Sequence, residues 1–140
     1  MRDLKFRPPN KPEVINPPTG WLREVVLDGD EQYWSGGSGD GSLWTKVGSD
    51  TVSLGLILKE PYGFVVQYGK ADSTEDFVAI SSTDYSRTVQ VWLGGNPWTV
   101  PTAFLVNRQK AWEAVEHFCR TGEMCKSLTW VRLAEQQWRS

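Results

Sequence analysis

Histidine and cysteine are almost missing from this chain. Its 140 residues hold one histidine and two cysteines, too few for a zinc set of Cys and His ligands. A catalytic base would have to be His117, which stands near Glu113 and Glu116 on the polar face of an expected helix, with no nucleophile beside it. Cys119 falls on the apolar face of that helix and reads as core. Cys125 follows six positions on, and both are expected as free thiols. Long apolar runs are missing too, since none approaches the ~20 residues of a membrane span. The opening stretch MRDLKFRPPNKPEV carries no apolar segment of the secretory kind. These absences predict a cytoplasmic chain with no membrane partner.

Acidic residues are plentiful, and they are gathered. Residues 28–84 contain ten (Asp28, Asp30, Glu31, Asp40, Asp50, Glu60, Asp72, Glu75, Asp76, Asp84) against Lys46, Lys59 and Lys70, a balance of −7. The flanking parts carry +2 and +3, which leaves the whole chain at −2. Phosphate recognition needs clustered Lys and Arg, so nucleic acid is not expected as a direct partner. A concentrated acidic surface suits a basic protein partner, or serves only as a solvated face.

The length fits one domain spanning 1–140. Residues 1–20 read as a Pro-rich extended arm, because PPNKPEVINPPTG (8–20) holds five of the eight prolines and no periodic pattern. Residues 21–106 read as a strand-rich sheet. Trp21–Leu27, Leu43–Val47, Thr51–Lys59, its hairpin partner Tyr62–Tyr68, and an adjacent pair Phe77–Ser81 and Thr88–Leu93 supply its strands. Residues 107–122 read as a helix, with Asn107 as N-cap, Gly122 as stop, and Ala111, Trp112, Ala114, Val115, Phe118 and Cys119 on one face. Residues 127–133 form a last strand, with Leu128 and Trp130 on one side and Val131 and Leu133 on the other. The expected fold is α+β: one antiparallel sheet of about six strands with one main amphipathic C-terminal helix packed on it.

A search for chemistry returns little. The stretch YWSGGSGDGSLW (33–44) looks like a phosphate cradle, but Ser42 stands where the dinucleotide fingerprint needs its last glycine, no helix pattern follows, and no Gly-Lys-Ser/Thr occurs. Asp28-Gly29-Asp30 lacks the later ligands of a calcium loop. No cofactor and no metal are expected. Carboxylates paired only in space remain open as an enzymatic alternative. Of the eight tryptophans, Trp92, Trp112 and Trp130 lie in patterned elements and are expected in the core. Trp34, Trp44 and Trp98 lie in or beside loops rich in Gly, Pro and Asp. They are either partner-binding anchors or caps on the ends of the core.

Residues 98–133 read WTVPTAFLVNRQKAWEAVEHFCRTGEMCKSLTWVRL. A Val-Pro step, an N-capped helix of the form A-x-x-A-V-x-x-F, Thr-Gly, and a strand carrying Trp follow one another. Through Val100, Pro101, Ala111, Ala114, Val115, Phe118, Thr121, Gly122 and Trp130 this resembles the immunity proteins of bacterial polymorphic and contact-dependent toxin systems, in particular the first-numbered Imm type. Members usually carry a proline near the position of Cys125, which this chain lacks. The resemblance implies a cytoplasmic, non-enzymatic protein that binds one-to-one to a cognate toxin's C-terminal domain, such as a nuclease or nucleic-acid deaminase with a basic cleft. Combined with the charge pattern, it places Asp28, Asp30, Glu31, Trp34, Asp40, Trp44, Asp72, Glu75 and Asp76 on the inhibitory surface. The alternatives are an adaptor module unrelated to toxins, or the small α+β enzyme.

Overall fold

The computed structural model describes residues 3–34 and 39–138. In chain order the strands of its first half are β1 (Lys5–Arg7), β2 (Val14–Ile15), β3 (Gly41–Val47), β4 (Asp50–Lys59) and β5 (Gly63–Lys70). Those of its second half are β6 (Asp76–Ile80), β7 (Thr88–Leu93), β8 (Asn96–Pro101), β9 (Leu105–Val106) and β10 (Thr129–Arg132). The helices are α1 (Thr19–Asp28), the single turn α2 (Glu31–Trp34) and α3 (Arg108–Thr121). The class is α+β as expected, with more strands than expected: an antiparallel eight-stranded sheet in the order β10-β6-β5-β4-β3-β1-β2, with β9 also on β5, and a separate pair β7-β8.

The β4–β5 hairpin is the centre. Period-2 alternation sends Val52, Leu54 and Leu56 to one face and Ile57 to the other. In β5, Phe64, Val65 and Val66 are all fully buried, as a strand covered on both faces requires. One face carries the larger core, where α1 and α3 lie over Phe6, Leu43, Leu54, Leu56, Phe64 and Val66. The other carries a smaller core, in which Val91 and Val100 of the β7–β8 hairpin meet Ile57, Val65 and Val78. Leu128 and Trp130 pack on the first core, Val131 and Leu133 on the second, the division that their alternation predicts.

Helix α3 follows the expectation closely. The Asn107 side chain accepts the Lys110 N–H at 2.8 Å, and Gly122 sits at φ 72 with its N–H on the Phe118 carbonyl. Ala111, Trp112, Ala114, Val115 and Phe118 face the core. Cys119 and Cys125 are free thiols. Burial, with a smaller contribution from Glu116, pushes the Cys119 thiol up to about 11 from its ordinary 9.0. A thiol so raised holds about 100-fold less thiolate at pH 8 than an ordinary one. Iodoacetamide labelling of the native protein at pH 8, followed by mass spectrometry, is therefore expected to modify Cys119 about 100-fold more slowly than after unfolding in urea.

Three expectations are corrected. Trp21–Leu27 is helix α1 rather than a strand, because Leu22, Val25 and Val26 at i, i+3 and i+4 are buried in the core beneath α1 and α3. The Pro-rich stretch is not a bare arm: β2 pairs with β1, and Asn16 holds Leu4 through its side chain at 2.8 Å. The segments 77–81 and 88–93 are not partners. Strand β6 lies between β5 and β10, while β7 turns back onto β8 through Gly94 and Gly95, at φ 59 and 83. Two consecutive left-handed residues make the tight hairpin turn whose twist matches paired strands.

Candidate partner-binding surface

Helix α1 ends at Asp28, where the Gly29 N–H bonds the Val25 carbonyl at 3.1 Å. The Asp30 carboxylate then accepts the Tyr33 N–H at 2.8 Å and so starts α2. The short helix is pinned from inside by Trp34. Its indole Nε1–H donates to the Val25 carbonyl at 3.1 Å, and its ring meets Phe64 edge-on at 4.9 Å between centroids. The outcome is a fixed corner on which Asp28, Asp30 and Glu31 are exposed. Among the described residues none of the three makes a salt bridge. The nearby cations are engaged elsewhere. Arg108 bonds the Val26 carbonyl and pairs with Glu60. Lys11 lies 4.2 Å from the Tyr33 ring centroid and bonds the Tyr33 carbonyl.

The chain returns to this end of the sheet at Gly39 and Asp40. A Cβ at Gly39 would lie 2.6 Å from the Trp92 Cβ, and the Asp40 carboxylate accepts the Gly94 N–H at 3.1 Å. These contacts fasten the tip of the β7–β8 hairpin. Behind it, a groove of about 690 Å³ is lined by Arg7, Lys11, Asp40, Ser42 and Gly94 among others. The tip exposes Trp92 by 50% and Leu93 by 38%, with the exposed Pro97 opposite Trp92 across the hairpin.

The acidic surface expected as one is thus divided. Asp28, Asp30, Glu31 and Asp40 belong to one end of the sheet. Asp72, Glu75 and Asp76 belong to the β5–β6 turn at the other, since Ala71 bonds the Thr51 carbonyl there. The run of β4 from Thr51 to Lys59 sets the ends about 26 Å apart, at a rise of about 3.3 Å per residue. In the distal group Glu75 pairs with Arg132 at 3.5 Å. A cavity of about 760 Å³ beside it is lined by Phe77, Met124 and Trp130, with Glu75 and Glu123. Both of these carboxylates are exposed.

Trp112 lies in the first core and Trp130 packs on it, as expected, while the other tryptophans divide between core and surface. Trp34, expected as an anchor, is 1% exposed and belongs to the first core. Trp44 is half-buried, with the Arg7 guanidinium 5.8 Å from its ring centroid. Trp98 packs on the second core. Trp92, expected in the core, points out. The alternation of β7 carries the signal for this, because the inward Val89 and Val91 put Trp92 on the opposite face. Residues 35–38 of the glycine-rich stretch lie outside the described residues. Among the described residues no helix is long and apolar enough to cross a membrane, and no three His, Cys, Asp or Glu side chains are grouped to hold a metal. No protein-family model matches the chain, and no curated protein matches it.

Proposed function

We propose that the chain is an inhibitor of the immunity type, a cytoplasmic protein that binds the C-terminal domain of a cognate bacterial toxin one-to-one. The observation that carries this reading is the corner at the α1–α2 junction. Three exposed carboxylates without salt-bridge partners among the described residues stand on a turn held in place by a buried tryptophan. Like charges held together repel one another, and a cation-lined surface relieves that repulsion on contact. A basic nuclease or deaminase cleft supplies such a surface, and the acidic corner steers the encounter. Asp40 belongs to the same end, so the four acids form one contact region, with Asp72, Glu75 and Asp76 outside it.

The test is calorimetric titration of the chain into the C-terminal domain of the protein encoded immediately upstream, at low and at high salt. One-to-one binding that weakens as salt rises is expected. The triple variant Asp28→Lys, Asp30→Lys, Glu31→Lys is expected to bind about 100-fold more weakly at low salt. No binding at either salt removes the reading, and unchanged affinity of the triple variant removes the corner from it.

A further inference from the structure

The hairpin tip has a property that steering does not need. Trp92 and Leu93 are two of the four large hydrophobic side chains found exposed among the described residues, and they are neighbours in sequence. An indole left half in water forgoes the stabilisation that burial gives elsewhere in this fold. Nor is the tip slack. Gly39 at φ 85 approaches so closely that a side chain there would strike Trp92, the Asp40 carboxylate holds the Gly94 N–H, and the two glycines of the turn set its direction. A rigid aromatic residue presented on a hairpin is the form that binding hot spots take, because little conformational freedom is lost on contact.

We infer that the Trp92–Leu93 tip is the anchor of this surface, and that its counterpart is an apolar slot of nucleobase size within a basic cleft. The inference rests on the function proposed above and names the site on the partner. A cleft that processes single-stranded nucleic acid combines cations for the backbone with apolar or aromatic walls for the base. The tip carries the matching pair, a flat two-ring aromatic at its end and the Asp40 carboxylate at its foot. Arg7 and Lys11 line the groove beside the tip together with Asp40 and Gly94. They face the Trp44 and Tyr33 rings, and neither Trp92 nor Leu93 lines that groove.

The experiment measures affinity for the upstream toxin domain with the wild-type chain, Trp92→Ala, Trp92→Phe and, as a control at the far edge of the sheet, Ile15→Ala, whose side chain is 59% exposed. Trp92→Ala is expected to bind about 30-fold or more weakly, with its salt dependence unchanged. Trp92→Phe should recover most of the loss, and Ile15→Ala should match wild type. A short single-stranded oligonucleotide is expected to displace the wild-type chain, and to displace Trp92→Ala at lower concentration. If the wild-type chain binds and Trp92→Ala binds equally, the anchor is overturned while the proposed function stands. If oligonucleotide and chain occupy the toxin together, the base slot is overturned. A dimer of the free chain that Trp92→Ala abolishes assigns the tip to a second copy and also overturns it. If the wild-type chain does not bind, the function and the anchor fall together.

Discussion

Trp34→Ala is expected to lower the unfolding free energy by about 3–5 kcal/mol, the range found when a buried aromatic is removed from a core that cannot collapse around the gap. The gap would be lined on several sides. Phe6, Tyr33 and Phe64 all pack against the indole, with ring centroids between 4.9 and 6.2 Å away. The variant also removes the indole N–H from the Val25 carbonyl, which keeps only the Gly29 N–H. Urea unfolding followed by circular dichroism reads the loss as a lower midpoint at unchanged slope. Trp92→Ala supplies the contrast: its side chain lies on the outer face of the hairpin, so its stability is expected to stay within about 0.5 kcal/mol of wild type. A near-neutral Trp34→Ala would mean that something other than the indole fixes the acidic corner.

Gly63→Ala is expected to cost about 3 kcal/mol, and Gly48→Ala about 1 kcal/mol. Both glycines have positive φ, 110 at Gly63 and 62 at Gly48, which non-glycine residues adopt at a penalty. The difference lies in the surroundings. Nothing stands within 4 Å of where a Cβ at Gly48 would project. A Cβ at Gly63 would come closer to the Val106 carbonyl than van der Waals contact permits. Relief requires the β4–β5 turn to move away from Val106 and Asn107, the residues that lead into α3. Glu60 lies in that turn and holds Arg108, which in turn bonds the end of α1. The substitution would therefore disturb the acidic corner through three packed elements. Equal midpoints for the two variants would show that the turn gives way without cost.

How much of this is legible in the sequence depends on whether the deciding interaction is local. Asn107, Gly122 and the spacing of Ala111, Val115 and Phe118 determine α3 within its own length, and the helix is readable to within a residue. The alternation in Thr51–Lys59 locates β4 and its buried face for the same reason. Helix α1 is not readable, because Val25, Val26 and Leu27 favour a strand by their own chemistry and the burial of Leu22, Val25 and Val26 beneath α1 and α3 decides otherwise. Trp34 and Trp92 exchange places for a related reason. Polar and glycine neighbours suggest that Trp34 is exposed, although α2 turns its side chain inward onto Phe64. Apolar neighbours suggest a core position for Trp92, although Val91 already occupies the inward position. The acids Asp28, Asp30, Glu31 and Asp40 can be named from the sequence. Their separation from Asp72, Glu75 and Asp76 cannot, because it depends on strand order and on which ends the turns share.

The hairpin's attachment by side chains, as its own two-stranded sheet over the smaller core, bears on how such a chain can diverge. The inward residues Val91 and Val100 secure the hairpin, while Thr88, Gln90, Trp92 and Pro97 face outward and contribute little to packing. Substitutions at these outward positions change what is presented to another molecule and leave the folding of the sheet and its helices intact. Lineages that must follow a changing counterpart can therefore revise recognition one residue at a time, with each intermediate remaining a folded protein.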